Sequence, residues 1–223
     1  MKDIITLAKE RADKFKVKNV VVSTNTGASA KLVFEVFGPG YKIFAVGNPA
    51  KAHERGLVSH AGVSEETQKI LEQKGIKVIL QDQSLIQALD FGGTDFKIGG
   101  KSFEIWGNNF DSAALTQVIE NAGPKGKFNA VAIIYNTLQL FCDTTRVCIE
   151  VTLMAADSGL LLLNEDCIAI ARPIERSNCP HAAVILRPTK TNDIFMGQLR
   201  VKDIILLPGP KDHWFNNERL WSG

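Results

Sequence analysis

The apolar positions of this chain follow two periods, one typical of helices and one typical of buried strands. Residues 3–15 place apolar side chains three and four apart, as one face of an amphipathic helix does. Short apolar runs predict strands at 20–22, 41–46 and 76–80, with helical patterns from Ala30 to about 38 and from Ser64 to 74. Strand and helix therefore alternate with short links, which predicts parallel βαβ units with right-handed crossovers.

The second half of the chain is less regular. Helical patterns cover 84–89, 112–121, 128–141 and 145–158, and apolar runs predict three more strands at 167–171, 182–186 and 201–207. The segments 95–98 and 101–105 flank Gly99-Gly100 and predict a β-hairpin, either a surface excursion or a ligand lid. We expect one α/β domain over 1–223, with an insertion at about 91–127 and an aromatic tail at 208–223.

A cluster of hydroxyl side chains, one Asn and one Gly stands between the first strand and the next helical pattern. Its residues are Ser23, Thr24, Asn25, Thr26, Gly27, Ala28 and Ser29. Unpaired backbone N–H groups and the helix dipole meet at a helix N-terminus, which therefore suits an anion, most often a phosphate. Gly27 would let the backbone approach such a ligand. The alternative is that Thr26 or Ser29 only caps the helix.

Gly47 and Asn48 are also candidate site residues, because they lie at the carboxyl end of a predicted strand. Ligands of parallel sheets collect at the carboxyl ends of the strands. The second strand ends at Gly47-Asn48-Pro49, and the third ends at 81–83. We therefore predict that Gly47 and Asn48 lie beside the turn after the first strand.

The helix predicted at 145–158 is too apolar for a surface helix, yet it carries Glu150 and Asp157 two turns apart. A buried carboxylate is costly unless it is paired or hydrogen-bonded. Arg146 lies one turn before Glu150 and is placed to pair with it. Either these two carboxylates hold neighbouring backbone or they line a polar pocket, and we assign Glu150 to the first role and Asp157 to the second.

Composition and charge narrow the function classes. The chain has 223 residues, 45% hydrophobic and 22% charged, and a net charge of +2, which does not favour nucleic acid. No signal peptide or membrane-spanning run is expected. Four cysteines without a C-x-x-C pair indicate a reducing, cytoplasmic setting and no metal.

Sequence signatures of catalysis are weak. No Walker lysine follows the turn, and no G-x-S-x-G elbow surrounds Ser29 or Ser158. His53 and His60 have the side chain of an acid–base catalyst, although a solvated loop histidine is the commoner case. No catalytic residue is therefore predicted.

Two stretches resemble a known family. Residues 20–31 resemble the phosphate-binding turn of the pyruvate kinase carboxy-terminal domain, and 147–159, with its Cys-x-Glu and Met-Ala-Ala-Asp-Ser-Gly runs, resembles the stand-alone, largely archaeal and bacterial proteins related to that domain. Later stretches at 166–170, 184–188 and 201–205 follow the same order. The loop between 171 and 181 departs from the family pattern, so the family's contacts from that loop are not carried over to this chain.

The resemblance implies a three-layer α/β/α domain with a mostly parallel mixed sheet and one antiparallel edge strand. It also implies a sugar phosphate at the turn in pyruvate kinases and flavin mononucleotide (FMN) in the stand-alone relatives. The catalytic barrel is absent, so no kinase activity follows.

Three functions stay open. The first is binding of a phosphorylated small molecule, with FMN preferred and a sugar phosphate or nucleotide next. The second is an enzyme that uses a flavin or acts on a phosphate compound. The third is an assembly subunit with a vestigial anion site. The expected partner is a phosphorylated small molecule, without nucleic acid or membrane, and assembly into a homo-oligomer stays open.

Overall fold

The elements of the fold follow the predicted order. The computed structural model describes residues 3–50, 62–81, 95–98, 101–104, 137–138, 141–171, 181–191, 193 and 198–207. Within these ranges the helices are α1 (Ile4–Phe15), α2 (Ala28–Phe37), α3 (Glu65–Gln73) and α4 (Asp143–Asp157). The strands are β1 (Asn19–Ser23), β2 (Lys42–Gly47), β3 (Lys77–Leu80), β4 (Asp95–Ile98), β5 (Lys101–Glu104), β6 (Cys167–Ala171), β7 (His181–Arg187) and β8 (Arg200–Leu207).

Some predictions lie outside the described residues. They concern the segments and side chains at 51–61, 84–89, 112–121, most of 128–141, 172–180 and 208–223. The predicted hairpin is confirmed in its backbone, since β4 and β5 pair antiparallel with Phe96 opposite Phe103. It forms a two-stranded sheet of its own. Among the described residues, no helix combines the length and apolarity that crossing a membrane requires.

The main sheet has six strands in the order β3-β2-β1-β6-β7-β8. The first four are parallel, β7 is antiparallel to β6, and β8 is antiparallel to β7. The expectation of an antiparallel edge strand is wrong, because the antiparallel strand β7 is second from the edge. The edge strand β8 turns back on β7 and therefore runs in the direction of the parallel set.

Helices cover both faces of this sheet and make three layers. One core cluster joins α1, α2 and α3 to one face through residues such as Ile4, Val33 and Leu71. The other cluster joins α4 to the opposite face through Cys148, Val151 and other residues. An α/β fold with a mixed, mostly parallel sheet is therefore confirmed.

Helix α4 carries a buried ion pair, as the sequence predicted. Arg146 Nη1 lies 2.6 Å from Glu150 Oε2, and both side chains are about nine-tenths buried. Breaking such a pair by removing one partner costs more than replacing both, because the remaining charge is buried alone. The contact supports the structural assignment of Glu150.

We expect Arg146→Met to destabilise the fold by about 3–5 kcal/mol, since it leaves the Glu150 carboxylate without its guanidinium. The double variant Arg146→Met with Glu150→Leu should lose much less. Urea denaturation followed by circular dichroism measures both free energies of unfolding. An equal loss in the single and double variants would contradict a role of the unpaired charge.

Candidate anion-binding site

The parallel strands end together, as predicted. We call their carboxyl ends, at Ser23, Gly47, Leu80 and Ala171, the carboxyl edge of the sheet. The helix that follows β1 covers one face, whereas the helix that precedes β6 covers the other. The strand order therefore reverses between β1 and β6, and such a switch point is the usual ligand site of an open parallel sheet.

Gly47 lets two backbone segments meet at this edge. Thr24 N donates a hydrogen bond of 2.9 Å to Val46 O. A Cβ on Gly47 would lie 2.1 Å from the carbonyl oxygen of Thr24. Next to it, Asn48 Nδ2 donates to Gln81 O at 2.6 Å. Gly47 and Asn48 therefore lie beside the turn. The hydrogen bonds and the close backbone approach around them hold the ends of β1, β2 and β3 together.

The turn itself differs from the prediction in its capping. The N-cap of α2 is Gly27, with φ of 87°, so the expectation that Thr26 or Ser29 caps the helix is wrong. Thr24 Oγ1 accepts a hydrogen bond of 2.9 Å from Gly27 N, and Thr24 is only 2% exposed. The Thr24 hydroxyl and the Gly27 N–H therefore satisfy each other and hold the turn.

Other donors of the turn stay available. No side chain caps α2, and among the described residues no acceptor binds the N–H groups of Ala28, Ser29 or Ala30. Thr26 is exposed and Ser29 half-buried, and neither hydroxyl bonds to another described residue. Ala28 is exposed, and Ser23 and Asn25 are half-buried around them. The structure thus gathers backbone and hydroxyl donors around one helix N-terminus.

The N-termini of α2 and α3 differ in the charge of their first turns. The first turn of α2 contains no acidic residue, whereas that of α3 contains Glu65 and Glu66. Carboxylates near a helix N-terminus use the favourable dipole themselves and repel an added anion. The first turn of α2 therefore has no carboxylate that would repel an anion, whereas the first turn of α3 has two.

Gly27 also has a packing role. A Cβ on Gly27 would lie 2.4 Å from Cγ2 of Thr67 in α3. The positive φ would strain any other residue there as well. A substitution of Gly27 would therefore test the packing of α2 on α3 rather than ligand binding.

Asp157 is not brought together with the turn. We call the amino ends of the parallel strands, at Asn19, Lys42, Lys77 and Cys167, the amino edge. Because α4 runs against the strands and its 15 residues span about 22 Å, its last residue lies at this opposite edge. There Asp157 accepts hydrogen bonds from Thr191 N at 3.1 Å and Thr191 Oγ1 at 2.6 Å.

A second helix N-terminus at the carboxyl edge was not predicted. The N-cap of α4 is Cys142, and its thiol contacts the hydroxyls of Thr144 and Thr145 at 3.1 Å and accepts from Thr145 N. All three residues are buried. The sequence signal was the Cys-Asp-Thr-Thr run before an apolar helix. The thiol of Cys142 therefore satisfies the N–H of Thr145 at this terminus.

The buried thiols are not suited to catalysis. Burial raises the pKa of Cys148 far above its ordinary value and that of Cys167 to about 12. Both thiols therefore stay neutral, and a neutral thiol is a poor nucleophile and metal ligand. Within the described ranges, no group of three or more His, Cys, Asp or Glu side chains is placed to hold a metal ion.

A scan against protein-family models finds no match for this chain. The resemblance to the stand-alone relatives of the pyruvate kinase carboxy-terminal domain therefore stays a prediction from the sequence.

The close approach at Gly47 can be tested by adding a single methyl group. We expect Gly47→Ala to destabilise the protein by about 1–3 kcal/mol, because its Cβ would collide with Thr24 O. Gly40→Ala is the matched control, since a Cβ there meets nothing within 4 Å. Thermal melting measures both, and a similar loss in the two variants would contradict the proposed collision.

The location of Asp157 gives a second test. We expect Asp157→Asn to lower the free energy of unfolding by about 1–2 kcal/mol, because it weakens charge-assisted bonds to Thr191. Phosphate affinity, measured by isothermal titration calorimetry, should stay unchanged. A tenfold loss of affinity, which is about 1.4 kcal/mol, would instead assign Asp157 to the ligand site.

Proposed function

We propose that the chain binds the phosphate group of a small molecule at the N-terminus of α2, with FMN as the preferred ligand. The observation that carries this proposal is a group of donors without an acceptor among the described residues, namely the N–H groups of Ala28, Ser29 and Ala30 and the hydroxyls of Thr26 and Ser29. The switch point beside them favours a ligand at the same place. The choice of FMN rests on the sequence resemblance.

The interactions available to a phosphate are sufficient for measurable affinity. Each hydrogen bond to a charged acceptor contributes about 1.5–3 kcal/mol, and the helix terminus adds about 0.3–1 kcal/mol. The N–H groups of Ala28 and Ser29 and the hydroxyls of Thr26 and Ser29 supply such donors. Thr24 acts indirectly, because its hydroxyl holds Gly27 in the conformation that starts the helix.

The free cysteines bear on the cellular compartment in which the protein works. Cys142, Cys148 and Cys167 are free thiols in the described part of the chain. We propose a cytoplasmic protein, because a reducing compartment keeps such thiols unpaired. Native mass spectrometry of the untreated protein would report a bound ligand and the number of subunits together.

The phosphate contacts can be tested with a pair of ligands that differ only in the phosphate. We expect Thr26→Ala combined with Ser29→Ala to weaken FMN binding by about a hundredfold, because two charge-assisted bonds are lost. Riboflavin should bind the wild type and the double variant weakly and alike. Isothermal titration calorimetry measures all four affinities.

The control is Ser64→Ala, which removes the N-cap of the neighbouring helix α3. It should lower stability by about 1 kcal/mol and leave FMN affinity unchanged. If riboflavin binds the wild type as tightly as FMN does, anchoring of the phosphate by this turn is wrong. If inorganic phosphate shifts the melting temperature of the wild type but FMN does not, the anion site stands and FMN is the wrong ligand.

A further inference from the structure

A pocket lies at the amino edge, on the sheet face that α4 covers. It measures about 290 Å³ and combines the starts of β1, β2 and β3 with the loop after α4. Its lining residues are Asn19, Lys42, Phe44, Lys77, Gly159, Leu160 and Leu162. This pocket is at the opposite end of the strands from the N-terminus of α2.

Two lysines line the pocket, and they differ in their ion pairing. Lys77 Nζ lies 5.3 Å from the centroid of the Phe44 ring and has no carboxylate within ion-pairing distance among the described residues. Lys42 Nζ lies 3.6 Å from Glu165 Oε2, and that carboxylate also accepts a bond of 2.8 Å from Asn19. The hydrogen bond from Asn19 and the charge of Lys42 lower the pKa of Glu165. A carboxylate is therefore already stable at the rim of this pocket.

Other carboxylates at this edge are neutralised by their own partners. Asp166 forms ion pairs with Arg187 and Lys202, and these outweigh burial, so its pKa stays below its ordinary value. Asp203 lies on the opposite face of the sheet, where it pairs with Arg11 of α1 at 2.7 Å. Since Lys42 already pairs with Glu165, the exposed ammonium group of Lys77 is the charge in this pocket that favours an added anion.

The loop after α4 adds an apolar surface. Leu160, Leu162 and Leu163 are 41%, 51% and 37% exposed, whereas Leu161 between them is buried. Three exposed leucines within four residues of one loop form a local apolar patch, and such patches commonly mark interaction sites. Leu160 and Leu162 line the pocket, so the patch and the lysines belong to one concave surface.

We propose that this pocket docks an acidic segment of a partner protein. An apolar side chain of that segment contacts Leu160 and Leu162, and one of its carboxylates pairs with Lys77. Charge complementarity selects an acidic partner, and the apolar contact supplies the buried centre that a peptide interface needs. The concave shape favours a protein segment over a membrane, because insertion into lipid requires apolar side chains that protrude.

The test uses synthetic fluorescein-labelled peptides and the full chain. A peptide of repeated Glu-Glu-Leu triplets should bind, as measured by fluorescence anisotropy, and more weakly as salt is raised. Peptides of Gln-Gln-Leu and Glu-Glu-Ser should each bind at least about tenfold more weakly, because one lacks the charge and the other the apolar side chain. These three peptides test the wild type without any substitution.

Matched variants then locate the site. Lys77→Glu and Leu162→Ser should each weaken the Glu-Glu-Leu peptide by about tenfold or more. Lys69→Glu and Leu32→Ser are the controls, since both residues are exposed elsewhere on the surface. Melting curves of all four variants show that each is folded.

Several results would overturn the proposal. They are equal binding of the charged and neutral peptides, equal losses in the pocket and control variants, and no binding of the Glu-Glu-Leu peptide. Sedimentation with vesicles of phosphatidylcholine and phosphatidylserine tests the alternative that this surface binds a membrane. If Leu162→Ser abolishes sedimentation with these vesicles while the peptide does not bind, the surface is a membrane contact instead.

Discussion

The position of β1 between two parallel neighbours and between two layers of helices constrains the whole molecule. Val20 and Val22 face the cluster of α1, α2 and α3, while Val21 faces the cluster of α4. A strand covered on both faces leaves no room for an unpaired polar side chain along its length. Polar residues therefore begin only at its two ends, at Asn19 and Ser23. Both candidate binding surfaces lie at those ends.

The two edges of the sheet attract anions in different ways. At the carboxyl edge the donors are backbone N–H groups and neutral hydroxyls, which surround a compact group such as a phosphate. At the amino edge, flexible lysines stand beside exposed leucines, a combination that suits carboxylates carried next to an apolar side chain. Helix direction adds to the attraction of anions only at the carboxyl edge, where helix N-termini collect, because the helix C-termini at the amino edge carry partial negative charge.

Much of the fold and part of the site could be predicted from local patterns. Most described strands and helices begin and end within about two residues of the predicted bounds, because apolar periodicity and residues such as the cap Ser64 act over one or two turns. The meeting of Ser23, Thr24, Gly47 and Asn48 followed from the rule for parallel strands. The place of β7 inside the sheet did not, since strand order depends on which long-range pairings bury the most surface.

Local sequence patterns are enough to predict that the chain alternates strands and helices, and that a turn rich in hydroxyls precedes the second helix. They also predict the Arg146–Glu150 pair, because residues four apart on a helix are neighbours in any fold. The tight packing of Thr67 on Gly27 appears only in the tertiary structure, since the two residues belong to different helices. Only the tertiary structure placed Asp157 at the far edge, because the direction of α4 follows from the strand that it joins. Contacts between elements distant in the chain decide such features, and no local pattern encodes them.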